Sequence, residues 1–159
     1  HDLALKRWLK EQDYRKDPIN AIFFLELQLE EYYAIKRGDD NYSTFENAIL
    51  KVAPHLEDVR FLRTDEEFKV EGIECGQHGH NGANGGRGNI HQYRRQGIKF
   101  NTGHSHSAAI KDNVYVAGVS GKLDQGYNVG GSSWSHSHIV TYGNGKRTII
   151  TLKNGKWRA

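Results

Sequence analysis

The sequence predicts a mixed α/β chain, with helices first and a mixed sheet and hairpins after them. Two observations carry this. Apolar residues recur at helical spacing up to about residue 56, and from Val59 onward they fall into short β-type runs separated by glycine- and asparagine-rich turns. The 159 residues suffice for one ordinary core, so a single domain is expected over 1–159, helical at 1–56 and β-rich at 57–159.

Taken in order, Leu5, Trp8 and Leu9 among Lys6, Arg7, Lys10 and Glu11 predict an amphipathic helix ending near Asp17. Asp17 is expected to cap a second helix with Pro18 at its first position, carried by Ile22, Phe23, Leu27 and Tyr33 to a stop at Gly38. Ser43 and Glu46 have the spacing of a capping box ahead of Ala48, Ile49, Leu50 and Val52, and Pro54 closes that third helix. The runs "VRFL" and "EFKVEGIEC" predict strands, the second leading into the glycine-rich loop "GQHGHNGANGGRGN". "NIHQYRRQG" predicts a short helix ended by Gly97, and "IKFN" a strand that delivers "TGHSH". Two hairpins follow, "AAIKDNVYVAGV" and "SWSHSHIVTYGNGKRTIITL", the latter turning through Gly143, Asn144 and Gly145.

Composition narrows the function. With 36% hydrophobic and 26% charged residues of both signs the chain is of the soluble globular type, and no apolar run approaches a membrane span. A cytoplasmic setting is expected. The formal charge of +3 suits a phosphate-bearing partner without specifying one. Cys75 is the only cysteine, which excludes an intrachain disulfide and a cysteine-based zinc cluster, so any metal must be held by histidines and carboxylates. The sequence has no methionine and starts within a helical pattern, which suggests a piece of a longer protein.

Histidine is where the chemistry concentrates. His104 and His106, separated by one serine at a strand end, can both face one metal ion, and Gly103 would allow a sharp turn there; two exposed histidines in a polar loop explain the pair equally. His78 and His80 open the glycine-rich loop, where strand ends commonly carry reacting groups; a flexible linker that happens to contain histidine, its glycines serving only a tight backbone path, is the lesser account. The loop's amides with Arg87 could also form an anion nest, although the Lys-Ser/Thr ending of a nucleotide P-loop is missing. His136 and His138 alternate on one strand face with Trp134, Val140 and Tyr142, which favours packing over ligation. His55 and His91 need only surface roles, and Cys75 only that of an inert thiol. Arg94, Arg95 and Lys99 form a basic cluster, which is either a solvated face or a contact for a phosphodiester backbone.

Three features stand in order: an opening "HD", the strand-end "HG" of His78 and Gly79, and "GHSH" from Gly103 to His106. Together they resemble the later motifs of the calcineurin-like metallophosphoesterases, in which Gly-Asn-His-Asp/Glu precedes a helix, a lone histidine follows a strand, and Gly-His-x-His comes last. The tail "GGSSWSHSHIVTYGNGKRTIITLKNGKWR" is also similar to those of phage-encoded members. The resemblance implies the carboxy-terminal half of a four-layer α-β-β-α sandwich. It implies that His78 and His104 hold one divalent ion and His106 another, with His80 the alternative to His78. His1 would match the phosphate-contacting histidine that protonates the leaving oxygen, and Arg87, Arg94 and Arg95 would contact phosphate or nucleic acid.

Other parts of that pattern have no counterpart here. The family's Asp-x-His motif, the bridging aspartate of Gly-Asp-x-x-Asp and the ligating asparagine before the first histidine are missing from the sequence. A two-metal site needs those carboxylates to neutralise charge and to hold the ions ~3.5–4 Å apart. The expectation is therefore an incomplete domain: part of a two-metal phosphodiesterase or nuclease, with manganese the first choice over zinc or iron. It would lack appreciable activity without a missing N-terminal half of the same protein. A noncatalytic nucleic-acid-binding or assembly module is the competing expectation.

Overall fold

The computed structural model describes residues 2–63 and 66–157, and the chain divides into two compact units, residues 1–61 and 62–159. In the first unit α1 (Asp2–Glu11), α2 (Ala21–Arg37) and α3 (Thr44–Val52) bury Leu9, Phe24, Leu27 and Ala48 together, with Leu5, Trp8 and Phe23 against them. The Trp8 ring stands edge-on to Phe24 at 4.8 Å between centroids, a favoured aromatic geometry. Gly38 stops α2 in the left-handed conformation that only glycine adopts without strain, and Ser43 accepts from the Glu46 amide at 3.3 Å to cap α3.

The first helix boundary differs from the expectation. α1 ends at Glu11, and a single 3₁₀ turn, Tyr14–Lys16, follows under an Asp13 cap. Asp17 caps no helix: its carboxylate accepts from the Asn20 backbone and side chain, closing a turn that holds Pro18 and leaves α2 to start at Ala21. The aspartate serves its usual purpose of satisfying exposed amides, but on a turn.

The second unit is mixed α/β. One sheet contains β1 (Lys69–Val70), β2 (Ile73–Glu74), β3 (Phe100–Thr102), β4 (Ala109–Lys111) and β5 (Val114–Val116), in the order β1-β2-β3-β5-β4. The pairs β2–β3 and β3–β5 are parallel, and α4 (Ile90–Arg95) lies in the crossover from β2 to β3. Asn89 caps α4 through the His91 and Gln92 amides, and Gly97 follows it at positive φ. Phe100, Val114 and Val116 pack with Tyr93 of α4 on one face. Alternation turns Asn101 and Tyr115 to the opposite face.

There the sheet meets a second one, made of β6 (His136–Thr141), β7 (Arg147–Lys153) and β8 (Lys156–Trp157), all antiparallel. Asn101 donates to the Thr141 hydroxyl at 3.0 Å, and the Arg147 guanidinium donates to the Phe100 carbonyl at 2.7 Å and lies 4.1 Å over the Tyr115 ring. A planar guanidinium can satisfy backbone carbonyls and stack on an aromatic at once.

Two strand expectations change. "VRFL" forms no strand, and "EFKVEGIEC" is two short antiparallel strands, because Glu71 and Gly72 both take positive φ and reverse the chain between β1 and β2. Asn154 and Gly155 make a similar reversal into β8, a strand beyond the two expected hairpins.

Candidate functional site

His78 and His104 both follow the carboxy ends of neighbouring parallel strands, β2 and β3. That is the edge at which open α/β sheets present ligand-binding loops. The two loops are stapled: Gly103 N donates to His78 O at 3.1 Å, and the Thr102 hydroxyl donates to Gln77 O at 2.9 Å. The glycines of "GQHGHNGANGGRGN" make the close approach possible. Gly79 has φ 113°, and a side chain there would lie 2.8 Å from the Thr102 hydroxyl and 2.9 Å from Gly103 O. A Cβ on Gly88 would drive into the Gly79 carbonyl.

This backbone brings His78 Nε2 to 3.2 Å from His104 Nδ1. Two nitrogens each ~2.0–2.1 Å from one ion, at angles of roughly 90–110°, lie about 2.9–3.4 Å apart, so the pair fits two ligands of a single ion. Its alternative, a hydrogen bond between neutral rings, has the same separation. Among the described residues no group of three or more His, Cys, Asp or Glu side chains is placed to hold a metal. The pair would thus supply part of a coordination sphere.

The other candidates are placed differently. His80 stays exposed, its ring 5.8 Å from that of His78 and 6.2 Å from that of His104. His106 turns its ring edge-on to Trp134 at 4.3 Å, and its Nδ1 is buried without a hydrogen-bond partner. Gly103 was expected to make the sharp turn. The turn is made instead by His104 at φ 70° and His106 at φ 61°, non-glycine residues whose left-handed backbone costs on the order of 1–3 kcal/mol each. Strain of this kind is kept where surrounding structure over-determines it.

Arg87 is exposed in the glycine-rich loop. Arg94 forms an ion pair with Asp112, which divides its charge from that of exposed Arg95. His1 lies outside the described residues. His136 Nε2 meets the Gly121 carbonyl at 2.7 Å and, since a carbonyl only accepts, donates to it. The Trp134–His106 contact carries no mark in the sequence, where Trp134 simply continues the alternation of the strand that it precedes.

Partial withdrawal from water, then the charges of His104, His80 and His106, hold the His78 pKa below its ordinary value; withdrawal from water, His80, His106 and Arg87 do the same for His104. Both imidazoles are therefore neutral, and able to ligate, at neutral pH. The sign for stability follows. The folded chain binds these protons more weakly than the unfolded chain, so the second unit is expected to lose stability as pH falls below about 6.5 and to be insensitive to these groups above it. Chemical denaturation across pH 5–8 checks this; in His78→Gln/His104→Asn the acid-side slope should flatten.

A mixed α/β unit with paired histidines at the ends of parallel strands is the class of arrangement present. No known protein-family signature matches the chain, and no solved structure matches it. The chain is similar to Protein A1 of Escherichia phage T5, at 52% identity over 161 aligned positions that take in all of this chain and 29% of that protein. It thus spans less than a third of the length of this relative. Among the described residues no helix is long and apolar enough to cross a membrane.

Proposed function

We propose that the chain is part of a metal-dependent phosphodiesterase acting on nucleic acid, with a phage-infected host cell as its setting. The observation that supports it above others is the 3.2 Å approach of His78 Nε2 to His104 Nδ1 at adjacent parallel strand ends. The order of "HG" and "GHSH" along the chain agrees with it, as does the similarity to a phage protein more than three times as long. The three layers of the second unit, α4 against one sheet and a second sheet behind it, would be three of the four layers of an α-β-β-α sandwich.

In this reading His78 and His104 would hold one divalent ion, manganese before zinc or iron, with His106, whose ring here faces Trp134, the residue to hold a second ion and His80 a reserve ligand. Bound ions lower the pKa of water and offset charge on the phosphoryl oxygens. The chain's own contribution is to keep the imidazoles neutral and aimed, with strand-end backbone bonds fixing their separation. Arg87, Arg94 and Arg95 would meet phosphate, Arg94 only by exchanging Asp112 for it, and His1 would give a proton to the leaving oxygen. The remaining acidic ligands would come from the rest of the longer protein.

The test is hydrolysis of bis(p-nitrophenyl) phosphate by the longer protein containing this chain, with manganese added and then chelated. Turnover that needs the metal is expected; a metal-loaded protein without turnover overturns the reading. A second reading, a noncatalytic nucleic-acid-binding module, rests on the exposed cations Arg87 and Arg95. It requires salt-sensitive binding that chelation leaves intact.

A further inference from the structure

The loop between β5 and β6, residues 117–135, leaves from the same carboxy edge of the sheet as the two histidine loops. Its ends are fastened. Ala117 N donates to Thr102 O, Gly118 N to Ser137 O and Val119 N to Ser135 O, each at 2.8 Å. At the other end Ser135 N donates to His106 O at 3.3 Å, and the Ser107 and Ser133 hydroxyls are 2.6 Å apart. The loop is thereby tied directly to "GHSH".

Between these fastenings the loop presents aromatic surface to solvent. Trp134 packs on the His106 ring, and Tyr127 stands against Trp134 at 5.8 Å with 63% of its surface exposed. The Tyr127 hydroxyl donates to the Gln125 side chain at 2.8 Å, which orients the ring from within the loop. An exposed tyrosine held in place beside a tryptophan is a preformed flat surface on which another flat group can stack.

A cation adjoins this surface: exposed Arg87 bears on His104 from the glycine-rich loop, and its charge is permanent at neutral pH. A ligand that suits both features has an anionic group and a flat aromatic group a short distance apart. Nucleotides have that chemistry, and base-on-aromatic stacking tolerates any sequence.

We propose that Tyr127 and Trp134 form a stacking surface for a base of single-stranded nucleic acid whose neighbouring phosphate sits at the His78–His104 pair. The proposal rests on the phosphodiesterase reading for what occupies the pair, and adds that the strand is held open, with its bases unpaired, at the scissile position. A stacking surface needs unpaired bases because a duplex buries their faces.

The experiment measures binding of this 159-residue chain to three probes in chelator: a fluorescent ten-thymidine strand, the same backbone without bases, and thymidine monophosphate as competitor. The thymidine strand should bind best. Tyr127→Ala should weaken it about tenfold and Tyr127→Phe hardly at all, while the abasic strand responds to neither. Equal binding of the two strands with no effect of Tyr127→Ala would overturn the proposal and leave only charge attraction. Competition by the monophosphate as tight as by the strand would overturn it in favour of a nucleotide pocket. Since chelator is present throughout, failure here is distinct from failure of metal-dependent hydrolysis.

Discussion

His104→Asn is expected to reduce divalent-metal affinity of the chain by on the order of 100-fold and, on the proposed phosphodiesterase reading, metal-dependent hydrolysis by the longer protein by roughly 1000-fold. Asparagine is the chosen replacement because it accepts left-handed backbone, and His104 has φ 70°. An alanine there would confound ligand loss with strain. Removing one of two nitrogens 3.2 Å apart leaves a single imidazole where two would share the ion. Calorimetric titration with zinc or manganese measures the first quantity. His91→Asn, on the exposed surface of α4, is the control and should bind as the parent does. Undiminished metal affinity in His104→Asn would remove the pair from any metal site.

Gly118→Ala is expected to destabilise the second unit by about 3 kcal/mol and lower its Tm by more than roughly 10 °C. Gly118 is at the point where the chain leaves β5 and meets the start of β6. A Cβ there would fall well inside contact with the Ser135 carbonyl oxygen and lie 3.0 Å from Ser137 N. Both neighbours are backbone, so no rotamer change relieves the overlap. Relief would require parting the Gly118–Ser137 bond of 2.8 Å, and with it the fastening of the aromatic loop. Gly143→Ala, with open space around it, is the comparison and should change stability by less than about 0.5 kcal/mol. Thermal melts followed by tryptophan fluorescence read both; a Gly118→Ala protein as stable as the parent would show that β5 and β6 are not joined this closely.

Local signals in the chain were legible where they act locally. Gly38 ends α2, Ser43 caps α3, Gly97 follows the end of α4, and the turn at Gly143 to Gly145 forms as its composition implies. Asp17 misled because its carboxylate satisfies a turn as well as it satisfies a helix end, and nothing within the helix pattern separates the two. "EFKVEGIEC" misled for a related reason: an exposed Glu71 at positive φ carries no sequence mark, so the reversal beside Gly72 was hidden.

The candidate site divides in the same way. Which residue types could ligate a metal, and that His78 and His104 follow strands, could be argued from composition and order alone. That these two meet, while His106 turns to Trp134, could not. They are 26 residues apart, and their approach depends on β2 and β3 pairing in parallel around α4 and on glycines that let two backbones touch. By itself the sequence determined the alternation of helix and strand signals, the lack of cysteine ligands and the placing of histidines at strand ends. Tertiary structure alone decided which imidazoles face each other and which aromatic lies beside them, because those outcomes are set by long-range strand pairing and packing direction, and no neighbouring residue encodes either.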